Sequence, residues 1–285
     1  MTRSIDLHAH TTASDGDQTP TQLVERAAAL GLTALAVTDH DTTAGVAEAL
    51  EAGKRRGIEV VPGIELSAEV SHGQCHLLGF LIDPESRPLR NRLQEVVENR
   101  ERRNERIVAR MRDELGFDIT LEEVEAVAGG LIVARPHFAR VLVNKGYVGS
   151  MQEAFDVYLG KGARAYVERD RLTPEEAISL IHQAGGVAVL AHPNNLKRDP
   201  EGTEAEIRAL QAQGLDGIEA RYNRHTPEEN TRYLALAERL GLLTSGGSDF
   251  HGPSVKPDVL LGHVEGELPA PTELLPALKA ARPQA

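Results

Sequence analysis

The 285-residue sequence contains no tryptophan, one cysteine and few aromatic residues. The lone Cys75 excludes an internal disulfide framework and a zinc finger built on cysteines. Aromatic residues make up 4% of the chain, which disfavours a stacking surface for single-stranded nucleic acid. No apolar run reaches membrane-spanning length, and near the amino terminus none follows a basic segment. We therefore expect a cytoplasmic protein without a membrane partner.

Acidic residues outnumber basic residues by 43 to 31, so the formal net charge is −12. This charge argues against a broad basic surface for nucleic acid, and we expect no stable DNA binding. An anionic substrate is still compatible with the charge, because bound cations can reverse the sign of a local site.

The chain alternates strand-like and helix-like patterns in its first third and again after residue 171. Predicted strands cover residues 32–37, 58–61, 75–81, 187–191, 215–220 and 242–244. Helices are predicted between them, several beginning at a capping box with proline at the first helical position, such as residues 19–22. This alternation is typical of an α/β fold in which parallel strands are covered by helices.

Residues 84–170 interrupt this alternation with a long amphipathic pattern. Apolar residues recur at helical spacing from Leu89 to Leu115, and Gly116 ends the pattern. Capping boxes at Thr120 and Ser150 predict further helices. We therefore expect a helical insertion over 84–170, which divides the α/β part of the chain into residues 1–83 and 171–285.

Two histidines follow the first strand pattern, in which the apolar residues Ile5 and Leu7 alternate with polar ones. His8 and His10 are two positions apart, so an extended chain points both imidazoles to the same face. Two imidazoles on one face are well placed to bind a divalent metal ion. A pair of surface histidines is the alternative interpretation.

Further candidate ligands lie at or just after the carboxyl ends of predicted strands, where the loops of a parallel barrel form its active site. They are Asp15, His40, Glu65, His192, Asp249 and His251, and His76 lies within a predicted strand. Each has an ordinary explanation by itself, such as a helix cap for Asp249 or a buried core histidine for His192. Their number and placement together predict a metal centre.

The sequence resembles the PHP family, named for polymerase and histidinol phosphatase, in motifs that extend from residue 8 to residue 251. The matching motifs are His8-Ala9-His10, Thr38-Asp39-His40, Gly63-Ile64-Glu65, His76, Ala191-His192-Pro193 and Ser248-Asp249-Phe250-His251. The resemblance implies a distorted (β/α)₇ barrel similar to a TIM barrel, with two or three Mn²⁺, Zn²⁺ or Fe²⁺ ions. By analogy, His8, His10, Glu65 and Asp249 hold one ion. Glu65 would bridge to a second ion held also by His76 and His192, and Asp15, His40 and His251 would hold the third.

The insertion resembles one branch of the family, which includes nucleoside 3′,5′-bisphosphate phosphatases and the 5′→3′ oligoribonuclease called RNase AM. Arg135 and His137 flank Pro136, which can start a helix, so both could bind a phosphate at a helix amino terminus. An ion pair between Arg135 and an acidic surface residue is the alternative. Lys161 and Arg164 lie in a glycine-rich connection and are candidate phosphate contacts, with a solvated loop as the alternative. His225 follows a predicted strand and is a further candidate contact to the substrate.

The resemblance implies hydrolysis of nucleoside 3′,5′-bisphosphates, such as adenosine 3′,5′-bisphosphate, with short 5′-phosphorylated RNA as a second or main substrate. We expect a metal-bridging hydroxide to attack phosphorus beside Glu65. Asp15 or His251, or water on the ion that they would hold, is the predicted source of a proton for the leaving oxygen. Histidinol-phosphate phosphatase, a polymerase-associated module and a non-catalytic sensor of metal or nucleotide are the alternatives.

Overall fold

The computed structural model describes residues 4–128, 133–168, 171–263 and 270–282. The predicted domain boundary at residue 170 and the last three residues of the chain lie outside these ranges. The contacts within the chain define two compact units. One unit comprises Met1–Asn91 with Arg171–Ala285, and the other comprises Arg92–Asp170.

Strands and helices alternate through much of the chain. In chain order, the elements up to the end of the fourth strand are β1 (Ser4–Asp6), α1 (Pro20–Ala29), β2 (Leu32–Val37), α2 (Val46–Arg56), β3 (Glu59–Ala68) and β4 (Cys75–Phe80). Helices follow as α3 (Arg87–Ala109), α4 (Leu121–Ala128), α5 (Arg135–Asn144), α6 (Met151–Ala154) and α7 (Pro174–Gln183). The remaining elements are β5 (Val187–Leu190), α8 (Pro200–Ala212), β6 (Gly217–Tyr222), α9 (Pro227–Leu240), β7 (Leu243–Gly247), β8 (Ala270–Pro271) and α10 (Leu274–Ala281).

The strands form one sheet in the order β7-β6-β5-β4-β3-β2-β1-β8. The two outer strands of the β1–β7 series approach each other, because the backbone N–H of Leu7 donates to the carbonyl of Gly246 over 3.2 Å. Further along, the N–H of Asp249 donates to the carbonyl of His8 over 2.9 Å. These bonds nearly close a seven-stranded barrel and confirm the predicted α/β barrel fold.

The strands are not all parallel, and this corrects the all-parallel pattern that the sequence suggested. β4 pairs antiparallel with both β3 and β5, whereas β1–β3 and β5–β7 pair in parallel. The physical reason is the connection between β3 and β4, which covers only residues 69–74 and holds no helix. A parallel pair needs a crossover of a dozen or more residues, so this short connection forms a hairpin.

The predicted end of β3 was also wrong, because the strand continues through Pro62 and Gly63 to Ala68. These two residues suggested a turn in the sequence. In the structure Gly63 lies where the strands pack closely, and a Cβ there would be 3.0 Å from the Thr38 side chain. The glycine therefore serves strand packing, and Glu65 lies inside β3 rather than after it.

Apolar side chains pack on both faces of the barrel wall. Ala34 and Ala36 of β2 face the inner core with Phe80, whereas Leu35 and Val37 belong to the core beneath the helices. The alternation along β2 therefore separates the barrel interior from the layer that α1 and α2 cover.

The predicted helix starts are mostly confirmed. Thr19, Thr173 and Thr226 each form a capping box, and a proline opens the helix that follows. α2 is an exception, because it begins at Val46 after Gly45, which offers no capping side chain.

The second unit is helical and has its own apolar core. Met111, Phe138, Leu142 and Leu159 are fully buried there. Gly116, with φ of +71°, follows α3 and its last π-helical turn, Arg110–Glu114, as the sequence predicted for the end of the long helix. In the part of the chain that the structure describes, none of the helices has the length and hydropathy that crossing a bilayer requires.

Candidate metal centre

The ends of β1 and β2 position the first histidines of the site. His8 and His10 follow β1, and the intervening Ala9 forms a bridge with Phe250. His40 follows β2 and forms a bridge with Glu65 of β3. Backbone pairing therefore fixes where these side chains leave the barrel wall.

Two candidate ligands have unusual backbone conformations. His192 has φ of +28° and Asp249 has φ of +55°, both in the left-handed region that non-glycine residues rarely adopt. Both follow strands, β5 and β7. Such conformations persist only where surrounding contacts hold them, and they are concentrated at functional sites.

Glu65 lies at the centre of the site, and its carboxylate is buried. Its Oε1 atom lies 2.9 Å from His76 Nδ1 and 2.9 Å from His192 Nε2. This single carboxylate oxygen therefore contacts one histidine in β4 and one that follows β5.

The other oxygen of Glu65 faces the histidines that follow β1 and β2. Oε2 lies 3.3 Å from His8 Nε2, 3.2 Å from His10 Nε2 and 3.2 Å from His40 Nδ1. The two carboxylate oxygens thus contact two different sets of imidazoles.

Three groups of side chains offer atoms that all lie within 4.8 Å of one another and could hold a metal ion. The groups are His8, His10, Glu65 and Asp249; His40, Glu65 and His76; and His10, Asp15, His40 and His251. His192 adds a contact to Glu65 over 2.9 Å. The structure therefore brings all nine sequence-predicted ligands into one cluster.

Imidazoles and carboxylates shift one another's pKa strongly in this cluster. Burial alone would lower the pKa of His10, but the carboxylates of Asp249 and Glu65 outweigh it and raise that pKa to about 9. Burial dominates at His40 and lowers its pKa to about 3. Although burial opposes ionisation of Asp15, the adjacent His251 and other histidines lower its pKa. The site therefore holds ionised carboxylates among densely packed imidazoles.

The residues present fit divalent metal ions. Both ring nitrogens of His10 and Nδ1 of His40 are buried, and none forms a hydrogen bond with the described residues. Buried polar atoms nearly always have a partner, so these nitrogens indicate a ligand in the space between the carboxylates. Imidazole and carboxylate donors together suit several first-row divalent ions.

Several buried or partly buried residues next to the ligands were not predicted from the sequence. Asp6 accepts hydrogen bonds from the backbone of His8 and from Ser248. Glu219 contacts His8, and both Tyr222 and Lys256 contact Asp249. A charged residue such as Glu219 between the apolar neighbours Ile218 and Ala220 was the one visible signal in the sequence.

The predicted phosphate contacts Arg135 and His137 lie at the start of α5 in the helical unit. Arg135 Nη1 donates to the carbonyl of Leu159 over 3.1 Å, and its guanidinium lies over the Tyr166 ring. His137 Nδ1 accepts a hydrogen bond from the N–H of Ala134 over 3.1 Å. This leaves the Nε2 atom of His137 as the ring's donor.

The other predicted contacts differ in exposure. Lys161 and Arg164 are exposed in the connection after α6. His225 is buried, with Nδ1 3.2 Å from Asn230 Oδ1, and burial lowers its pKa. Among the described residues, its Nε2 atom has no hydrogen-bond partner. The roles of these residues in substrate binding stay predictions.

Known proteins resemble this chain over most of its length. A family model described as the PHP domain matches residues 6–187, which ends before His192, Asp249 and His251. The 5′-3′ exoribonuclease Rnm of Escherichia coli strain K12 is 38% identical over 252 residues, covering 87% of this chain and 85% of that protein.

Two further relatives support the same grouping. A 3′,5′-nucleoside bisphosphate phosphatase from Chromobacterium violaceum is 36% identical over 261 residues, covering 88% of each protein. A crystal structure from Bifidobacterium adolescentis, described as a metal-dependent phosphoesterase, has a TM-score of 0.74 and 31% identity to this chain. The similarity covers 99% of this chain and 97% of that chain.

Proposed function

Because this chain belongs to the PHP domain family, we propose that it is a metal-dependent phosphoesterase that hydrolyses nucleoside 3′,5′-bisphosphates and short 5′-phosphorylated RNA. The names of the relatives from Escherichia coli and Chromobacterium violaceum support these two substrate classes. The observation that carries the proposal is the contact of Glu65 with five histidines, from the ends of β1, β2 and β5 and from β4.

Two or three ions of Mn²⁺, Zn²⁺ or Fe²⁺ are the proposed cofactors, held by the nine clustered ligands. When bound, such ions lower the pKa of water toward about 7 and neutralise charge on phosphoryl oxygens. Glu65 would be shared between ions, since its two oxygens contact different imidazoles.

His251 and Asp15 are the side chains predicted to supply the proton for the leaving oxygen. His251 Nδ1 donates to the backbone carbonyl of Asp249 over 2.8 Å, so its Nε2 lone pair faces Asp15 Oδ1 at 3.2 Å. With its lowered pKa, Asp15 is ionised at neutral pH and accepts protons rather than donating them. His251 could supply the proton that the leaving oxygen needs only while its Nε2 atom is protonated and therefore not bound to an ion.

Positional specificity is the proposed role of Arg135 and His137. Arg135 uses one of its donors on Leu159, which leaves others for a second phosphate. Lys161 and Arg164 are proposed to add positive charge for the substrate, and His225 to contact it through Nε2.

Phosphate release from adenosine 3′,5′-bisphosphate, after chelation and addition of Mn²⁺, tests the proposal. The same assay is applied to histidinol phosphate. A 5′-phosphorylated oligoribonucleotide is followed by the release of 5′-mononucleotides, because hydrolysis of its phosphodiester bonds frees no inorganic phosphate. Rapid cleavage of histidinol phosphate with neither nucleotide substrate turned over would overturn the substrate assignment.

The R135A variant tests the second-phosphate contact. It should lose roughly 10- to 100-fold in kcat/KM on the bisphosphate, the worth of a charge-assisted hydrogen bond, and far less on an aryl phosphate. R140A is the matched control, because Arg140 is exposed on the same helix. Equal losses on both substrates would remove the assigned role from Arg135.

A further inference from the structure

Glu219 lies in the middle of β6, and its side chain is fully buried. Both of its carboxylate oxygens have hydrogen-bond partners. Oε1 lies 2.9 Å from His8 Nδ1, and Oε2 accepts the backbone N–H of His192 over 2.8 Å. One buried carboxylate therefore contacts two candidate metal ligands that follow different strands.

The contact with His8 determines which ring nitrogen faces the metal centre. A carboxylate offers only acceptors, so the nitrogen directed at Glu219 carries the proton. When an ion is bound, the lone pair of His8 Nε2, on the opposite side of the ring, is then free to hold it; this atom lies 3.3 Å from Glu65 and 3.6 Å from Asp249. In metal sites, a carboxylate often accepts a hydrogen bond from the histidine ring nitrogen that does not bind the metal. This hydrogen bond fixes the tautomer and the orientation of the ring.

The contact with His192 stabilises a strained backbone. His192 has φ of +28°, and its N–H is bonded to Glu219 while its ring nitrogen Nε2 lies 2.9 Å from Glu65 Oε1. A residue in this conformation needs surrounding contacts to hold it. Losing the bond to Glu219 would free the peptide that directs the His192 ring into the site.

We infer that Glu219 is a positioning residue that presets the His8 tautomer and the His192 backbone for metal binding. This inference rests on the proposed metal-dependent function. Glu219 itself contacts neither ion nor substrate in this assignment, and it acts through the two histidines.

The E219Q variant separates this role from simple packing. An amide has nearly the shape of a carboxylate but replaces one acceptor with a donor. If its NH₂ group faces His8, the ring must carry its proton on Nε2 and loses the lone pair for the metal. If the NH₂ group faces His192, two donors oppose each other at the strained peptide.

Asp216 provides a matched control in the same unit. Its carboxylate also accepts one backbone N–H, from Ala188 over 2.7 Å, and contacts one histidine, His182 Nε2, over 2.8 Å. Neither partner is a candidate metal ligand. The D216N variant therefore makes the same chemical change without touching the metal centre.

Calorimetric titration of Mn²⁺ into the chelator-treated full-length protein measures the effect. E219Q should bind Mn²⁺ about 10- to 100-fold more weakly than the wild type, whereas D216N should bind with wild-type affinity. E219D keeps the charge but shortens the reach, so it should show a smaller loss. It also serves as the test variant if E219Q does not fold.

The ¹⁵N shifts of histidine in the Zn²⁺-loaded protein give a second readout. The wild type should show His8 with its proton on Nδ1. E219Q should lose this signature where its NH₂ group faces His8 and keep it where that group faces His192, so the spectrum identifies which of the two histidines is disturbed. Wild-type Mn²⁺ affinity in E219Q, or in E219D if E219Q does not fold, would overturn the inference while leaving the proposed function intact. Absence of Mn²⁺ binding by the wild type would overturn both.

Discussion

Tyr222 donates its hydroxyl proton to Asp249 Oδ2 over 3.0 Å, on the side of the carboxylate away from the histidines. Lys256 Nζ lies 2.7 Å from the same oxygen. The other oxygen, Oδ1, lies 3.3 Å from His10 Nε2 and 3.6 Å from His8 Nε2. The two oxygens of Asp249 are thus divided between an outer anchor and the candidate metal centre.

Removing the Tyr222 hydroxyl should loosen this anchor. We expect Y222F to lose about 1.5 to 3 kcal/mol of unfolding free energy, the usual contribution of a hydrogen bond to a charged group. Mn²⁺ affinity should fall several-fold, because Asp249 keeps only Lys256 on its outer oxygen. Urea denaturation of the chelator-treated protein and Mn²⁺ titration measure the two effects.

Y233F is the control for this change, because Tyr233 is also buried but its hydroxyl contacts Arg232 at 3.4 Å rather than a ligand. Its Mn²⁺ affinity should equal that of the wild type. Equal Mn²⁺ affinity in Y222F and the wild type would show that Lys256 alone holds Asp249.

Asp15 and Glu65 differ in exposure and should differ in the number of ions lost on substitution. The Asp15 side chain is 46% exposed and belongs to one of the three candidate groups, whereas Glu65 is 1% exposed and belongs to two. D15N should therefore lose one equivalent of bound Mn²⁺. E65Q should lose at least two, because its amide cannot offer two ligand oxygens.

Elemental mass spectrometry after gel filtration measures the metal content per protein chain and distinguishes the two variants. The same stoichiometry in D15N and E65Q would contradict the placement of Asp15 in a separate group.

Local signals made the helix starts and most of the metal ligands predictable. A capping box needs only four residues: a threonine, a proline directly after it, and a glutamine or glutamate three positions after the threonine. Thr19 and Thr226 begin such boxes, which form independently of the rest of the chain. Closely spaced histidines such as His8 and His10 are visible in the same way.

Contacts between distant strands were not predictable from the sequence. Glu219 meets His8 across 211 positions, and this contact depends on how the ends of the barrel meet. The antiparallel β4 and the continuation of β3 through Pro62 likewise follow from strand pairing. The turn chemistry of Pro62 and Gly63 suggested the opposite.

Gly247 at the end of β7 lies against His8, and we expect no larger residue to fit there. A Cβ atom at this position would lie 2.3 Å from the Cβ of His8 and 2.5 Å from its backbone nitrogen. Since backbone atoms cannot move aside cheaply, G247A should cost about 3 kcal/mol of stability, the upper end of the usual cost of overpacking. Thermal denaturation should show a markedly lower midpoint.

G149A is the matched control for the added methyl group. Its new Cβ would meet only the flexible Glu153 side chain, at 3.4 Å. If G247A had the same melting midpoint as the wild type, β1 and β7 would have to lie further apart than the structure places them.

The pair formed by His182 and Asp216 should make stability depend on pH. The hydrogen bond to Asp216 raises the pKa of His182 above its usual value of 6.5. Protonated His182 therefore stabilises the folded state fully below about pH 6.5, and this contribution is lost as the pH rises through the raised pKa.

The melting midpoint of the wild type should exceed that of H182Q most at pH 5.5 and least at pH 9. In the D216N background, the same substitution should give a difference that no longer changes with pH. A constant difference between wild type and H182Q across this range would contradict the raised pKa of His182.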